Sequence, residues 1–151
     1  MIIQEIEEYF EKKNLDGLLT KYGECFERLD HFTNAFKTGS IDNSLMTDMT
    51  LKELGAIFSS LNIVAQLSEY YFELAEATEI TNLRIHLESN KEKVVASLLE
   101  KQAELTVTDY KRICVIFQTF RDNCDKLISI CQSSLKSGDQ ERKAHGFGKQ
   151  F

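Results

Sequence analysis

Four glutamates, Glu69, Glu73, Glu76 and Glu79, recur at helical spacing in the middle of the chain, and two aspartates, Asp122 and Asp125, form an i, i+3 pair farther on. Steps of three and four place side chains on one face of a helix. Carboxylates gathered from two helices are the hard oxygen ligands that magnesium takes, so this pattern carries the chemistry of metal-assisted phosphate hydrolysis. The same glutamates also describe a solvated acidic face balancing Lys91, Lys93 and Lys101. His31, His86 and His145 stand apart, without the H-x-x-x-H or E-x-x-H pairs of zinc and di-iron sites. There is no Gly-rich phosphate loop and no G-x-S-x-G nucleophile elbow. Cys25, Cys114, Cys124 and Cys131 contain no C-x-x-C pair, and the last three share a helical face with Ile113, Phe117, Phe120, Leu127 and Ile128. They read as small buried apolar residues suited to a reducing compartment. The sequence assigns no catalytic residue, no metal ligand and no cofactor, and a non-enzymatic protein is expected.

The basic residues offer a different chemistry. Net charge is −6, but it is polarised along the chain: −5 over residues 1–50, −4 over 51–105 and +3 over 106–151. Lys111, Arg112, Arg121 and Lys136, with Arg142, Lys143 and Lys149, are the candidate phosphate contacts for a single strand, and Phe147 and Phe151 are available to stack on bases. Asp109, Asp122, Asp125, Asp139 and Glu141 are interleaved with them, which thins the patch in one chain. A ring of subunits multiplies such a patch into a multivalent surface.

The elements that must position these groups are all helical. The chain of 151 residues has no proline and seven glycines, and 42% of it is hydrophobic, enough for a sizeable core. The apolar spacing predicts helices over about 2–12, 15–37, 51–105 and 109–136, as one domain over 1–138 with a flexible tail over 139–151. Gly39 and Gly138 are expected to close two of the helices, and the Ser-, Asn- and Asp-rich stretch from Thr38 to Met49 to form a loop. Thr50 and Glu53 match a capping box, which starts the long helix at residue 51. A helix of that length exceeds a compact domain, so it bends back or projects toward partners, and Glu88–Lys93 is the most polar place for a bend. Along it runs a coiled-coil-like seam through Leu54, Ile57, Leu61, Val64, Ser68, Tyr71, Ala75, Thr78, Asn82 and Ile85. Leu54, Ile57, Leu61, Val64, Tyr71, Ala75 and Ile85 are the candidate partner or oligomer interface.

Two resemblances follow from these residues. The acidic spacing resembles the all-α nucleotide pyrophosphohydrolases, although Tyr70 follows Glu69 where that family has an adjacent Glu pair. A long helix bearing Leu67-Ser68-Glu69-Tyr70-Tyr71-Phe72-Glu73-Leu74-Ala75-Glu76-Ala77, a charged stretch, a Thr-led break and a helix ending Cys131-Gln132-Ser133-Ser134-Leu135-Lys136 resemble the small helical UvsY-type recombination mediators of tailed phages. This second likeness covers roughly residues 54–147. It implies oligomers that bind single-stranded DNA and help to load a recombinase, with Arg142, Lys143 and Lys149 on phosphate.

The expectation is an all-α, elongated, self-associating helical bundle with one long central helix. Its partners are a second copy, another protein and single-stranded DNA. The alternatives are a helical adaptor or inhibitor of another protein, and a magnesium-dependent hydrolase. No stretch reaches the roughly 18 apolar residues of a membrane span, and the N-terminal residues Met1–Glu8 are acidic, unlike a secretory signal. A cytoplasmic setting is expected, the host's if the chain is phage-encoded.

Overall fold

The computed structural model describes the backbone of residues 2–39 and 44–149 and the side chains of residues 2–39 and 47–137. It is all-α, with no strand among the described residues: α1 (Ile2–Glu11), α2 (Leu15–Lys21), α3 (Gly23–Lys37), α4 (Ser44–Ser89), α5 (Ala96–Thr106) and α6 (Thr108–Lys149). No helix of the described residues is long and apolar enough to cross a membrane.

The chain divides into two compact units: unit 1 is Met1–Lys21 with Asn62–Gln118, and unit 2 is Tyr22–Leu61 with Thr119–Phe151. Each is assembled from pieces distant in sequence, and α4 and α6 each give one stretch to both. The two units therefore have no linker between them that composition would mark.

In unit 1, α1 buries Ile6 and Phe10, four apart on one face. The Phe10 ring stacks on Tyr71 of α4 at 4.6 Å and 6°. The helix ends in a Schellman turn, in which the N–H of Lys13 bonds the Phe10 carbonyl at 3.0 Å and that of Asn14 bonds the Tyr9 carbonyl at 2.8 Å. Lys13 takes the left-handed φ of 54° that this turn needs. Asn14 then caps α2, its Oδ1 accepting the Gly17 N–H at 3.1 Å. A Cβ on Gly17 would fall 2.4 Å from that same amide, so the glycine makes room for the cap. Lys21 reaches back to Glu5 at 2.9 Å, tying α2 to α1. Leu18, Val64, Ala65, Leu99, Ala103, Ile113 and Phe117 are among its fully buried side chains. Ser68 is buried with them because its hydroxyl donates to the Val64 carbonyl at 2.6 Å.

In unit 2, Leu29 and Phe32 of α3 are buried, as are Thr47, Thr50, Leu54, Ile57 and Leu61 of α4 and Cys124, Leu127 and Cys131 of α6. Phe26 stacks on Phe120 at 4.1 Å between ring centroids. All four cysteines are free thiols; Cys114, Cys124 and Cys131 are buried and Cys25 half-buried.

Four sequence expectations are corrected. The helix expected over 51–105 ends at Ser89 in a second Schellman turn: Lys91 N–H bonds the Glu88 carbonyl at 3.1 Å, Glu92 N–H bonds the Leu87 carbonyl at 2.9 Å, and Lys91 carries φ 57°. Four non-helical residues, Glu92 to Val95, then lead into α5. The same helix begins at Ser44, not at a Thr50 capping box, because the buried seam already runs through Thr47 and Thr50 and extends the helix backwards. The helix expected over 15–37 divides at Tyr22, which is buried at a turn with φ −94° and ψ 4°. The backbone of α6 continues through Gly138 to Lys149, where a tail was expected. The part of the expected Thr38–Met49 loop that falls on residues 40–43 lies outside the described residues.

Candidate functional site

Among the described residues, most of the large hydrophobic side chains left exposed lie in unit 1. Of the eleven large hydrophobic side chains exposed among the described residues, nine are in unit 1, and only Met49 and Ile130 are in unit 2. A contiguous exposed apolar patch marks an interaction surface, whereas single exposed residues need no explanation.

Helix α5 shows the local reason. Its Leu99 and Ala103, four apart, are fully buried and anchor it in unit 1. Its other face presents Leu98 at 60% exposure and Leu105 at 76%, with Val95 at its N-cap also exposed. At 100° per residue Leu98 and Leu105, seven apart, lie within about 20° of each other. Such spacing is that of an amphipathic helix whose anchors enter a partner's groove. The sequence carries this signal as leucines seven apart, whereas steps of three and four from Ile85 lead to the buried Leu99 and Ala103.

Beside α5, the α5–α6 junction (Thr106, Val107, Tyr110) and the α4 face bearing Tyr71, Leu74 and Thr78 line an open groove of about 390 Å³. Burial and then the carboxylates of Glu7 and Glu11 push the Tyr71 phenol up from its ordinary value.

The seam expected to join subunits is largely internal. Leu54, Leu61 and Val64 have no exposed surface and Ile57 has 9%, so the chain's own core covers them. Tyr71 and Ala75 are half-buried, and Ile85 alone of that set is freely exposed, at 59%. The seam's period is as expected, but over its first half the covering partner is intramolecular.

Several of the basic residues are neutralised by carboxylates. Lys111 pairs with Glu104, which holds the carboxyl below and the ammonium above their ordinary values through a hydrogen bond. Arg112 stands 3.6 Å from Asp16, and Arg121 bonds its neighbour Asp122 at 3.2 Å. Lys111 and Arg112 lie in unit 1, Arg121 and Lys136 in unit 2. Lys126 and Lys136 are exposed and make no ion pair among the described residues. Arg142, Lys143 and Lys149 fall on the backbone of α6, and their side chains lie outside the described residues, as do those of Phe147 and Phe151.

Glu69, Glu73, Glu76 and Glu79 belong to unit 1, Asp122 and Asp125 to unit 2. No group of three or more His, Cys, Asp or Glu that could hold a metal ion occurs among the described residues.

Comparison with protein-family models, curated proteins and solved structures finds no match to this chain. The surface must therefore be read from its own chemistry. Unit 1 holds nine Lys and Arg against fourteen Asp and Glu.

Proposed function

We propose that this chain is a non-enzymatic accessory protein that acts by association, with unit 1 docking another protein through the outer face of α5. The observation that supports this best is the exposure of Leu98 and Leu105 on a short helix whose opposite face, Leu99 and Ala103, is fully buried. Affinity capture with the wild-type chain and with Leu98→Asp/Leu105→Asp tests it. A partner retained by the first and lost by the second, with equal helicity by circular dichroism, supports the reading; equal capture by both removes α5 from it. The free thiols fit a cytoplasmic setting.

A second role, as a recombination mediator that binds single-stranded DNA, rests on the UvsY-type resemblance and on one feature of α6. Its helical backbone runs on through Arg142, Lys143 and Lys149, beyond exposed Lys126 and Lys136. Self-association would sum these sparse charges over several subunits. Fluorescence anisotropy of a labelled single-stranded oligonucleotide at two salt concentrations tests it. Saturable binding that weakens steeply with salt, and that Arg142→Glu/Lys143→Glu/Lys149→Glu abolishes, is expected. No binding at low salt leaves the protein-docking role alone.

A further inference from the structure

A second exposed apolar stripe runs along α4 within unit 1. Tyr70, Leu74, Ala77 and Thr81 follow one another in steps of four, three and four, and Ile85 continues the line. At 100° per residue all five fall within an arc of about 80°. All are exposed, Tyr70 at 56%, Leu74 at 47% and Ile85 at 59%. This is a different face from the buried seam, which reaches this segment through Val64 and Ser68.

We propose that this stripe is the interface with a second copy of the chain, and that the two α4 segments pair antiparallel about a two-fold axis between Leu74 and Ala77. The inference rests on the association reading above and gives it a surface and a geometry. In this register Tyr70 of one copy comes level with Thr81 of the other, and Leu74 with Ala77. Tyr70 and Leu74 each meet a small side chain, as interdigitating layers require, and Ile85 comes level with Gln66. Parallel pairing would set Leu74 on Leu74 and Ala77 on Ala77, which leaves a void beside a crowded layer. It would also set Glu73 beside Glu73, and like charges facing each other are destabilising.

Charge favours the same direction. The first part of the segment is acidic, with Glu69, Glu73, Glu76 and Glu79, and Arg84 and His86 follow beyond it. Antiparallel pairing brings Arg84 of one copy level with Leu67 of the other, two residues from Glu69. Each such contact occurs twice, because a two-fold interface is self-complementary. The stripe is about 22 Å long at 1.5 Å per residue, so a concentration-dependent dimer is expected rather than an obligate one.

Sedimentation velocity of the full-length chain and disulfide trapping together test this. The wild type should dimerise with rising concentration, and Leu74→Asp, an exposed position that keeps the core, should raise the dissociation constant at least tenfold with unchanged helicity. Under oxidised glutathione, a mixture of Leu74→Cys and Ala77→Cys proteins should cross-link to each other faster than either does alone. Faster cross-linking of Leu74→Cys with itself would overturn the antiparallel register. A wild-type dimer that neither variant traps and Leu74→Asp leaves intact would overturn the interface while leaving self-association standing. A monomer at all concentrations would overturn the proposal, and partner capture through Leu98 and Leu105 would still report on α5 docking.

Discussion

Arg28 and Glu53 form a two-point contact between α3 and α4 in unit 2: Nε donates to Oε1 at 2.5 Å and Nη2 donates to Oε2 at 3.0 Å. The guanidinium also lies 4.5 Å from the centre of the Phe32 ring, so its fork is fixed by a bidentate carboxylate and a cation–π contact together. The hydrogen bond from Arg28 holds the Glu53 carboxyl below its ordinary value of 4.5, with Arg28's charge adding to it and partial burial opposing it. A carboxyl depressed in the folded state stabilises fully above its unfolded value, and that contribution is lost as pH falls through the folded value. Wild type should therefore melt above Glu53→Gln at pH 6, and the gap should close below pH 4.5. Thermal melts at pH 6, 4.5 and 3 check this; a gap that does not change with pH would detach the stabilisation from ionised Glu53.

Phe10 is the residue by which α1 is held in unit 1. It is 2% exposed and stacked on Tyr71 at 4.6 Å. Phe10→Ala removes the ring and leaves a cavity, a loss of about 3–5 kcal/mol for a buried phenylalanine. Tyr71→Phe keeps the stack and should cost far less. Denaturant unfolding of both variants measures the difference; similar losses would mean that the stack is not what holds α1.

The cysteines should react in the order of their burial. Cys124 has no exposed surface, its thiol donates to the Leu54 carbonyl at 3.3 Å, and burial, then Asp125 and Cys25, push its pKa up to about 11. Alkylation at pH 7.5 followed by mass spectrometry should label half-buried Cys25 first, and the other three only on unfolding. The sign of the pH effect is opposite to that at Glu53. With the folded pKa raised above the ordinary value of 9.0, stability is intact below pH 9 and falls as pH rises toward 11. Cys124→Ala should lose less stability across that window than wild type.

The difference between what the sequence disclosed and what it hid is physical. The steps of three and four through Leu54, Ile57, Leu61 and Val64 disclose an apolar helical face, because burial imposes a period, but a period does not say which surface covers it. Here the chain covers it, and the face left open is the one through Leu74 and Ala77. Thr50 and Glu53 satisfy the local rule for a capping box, yet Arg28 lies twenty-five residues from Glu53 and takes the carboxylate into a tertiary contact. Arg112 likewise reads as a free cation until the fold brings Asp16 to it. The all-α class is local in origin and was legible; the neutralisation of charge by distant residues is not.

Helix ends were hidden for another reason, which yields the last prediction. Lys13 and Lys91 occupy the left-handed position of two complete Schellman turns, with φ 54° and 57°, where glycine is usual. Because the punctuating glycine is missing, the pattern from Leu51 to Leu105 looks continuous. A non-glycine residue there carries a steric cost of roughly 1–2 kcal/mol from its Cβ, which glycine relieves at the expense of greater freedom in the unfolded chain. The two terms oppose each other, and the relief is the larger where φ is firmly positive. Lys91 is exposed and has no ion pair among the described residues, so little else is lost with it. Lys91→Gly should therefore stabilise the protein by about 0.5–1 kcal/mol, and Lys91→Ala should not. Paired denaturation curves decide this: a glycine variant weaker than both wild type and the alanine variant would mean that the turn after Ser89 is not a fixed left-handed cap.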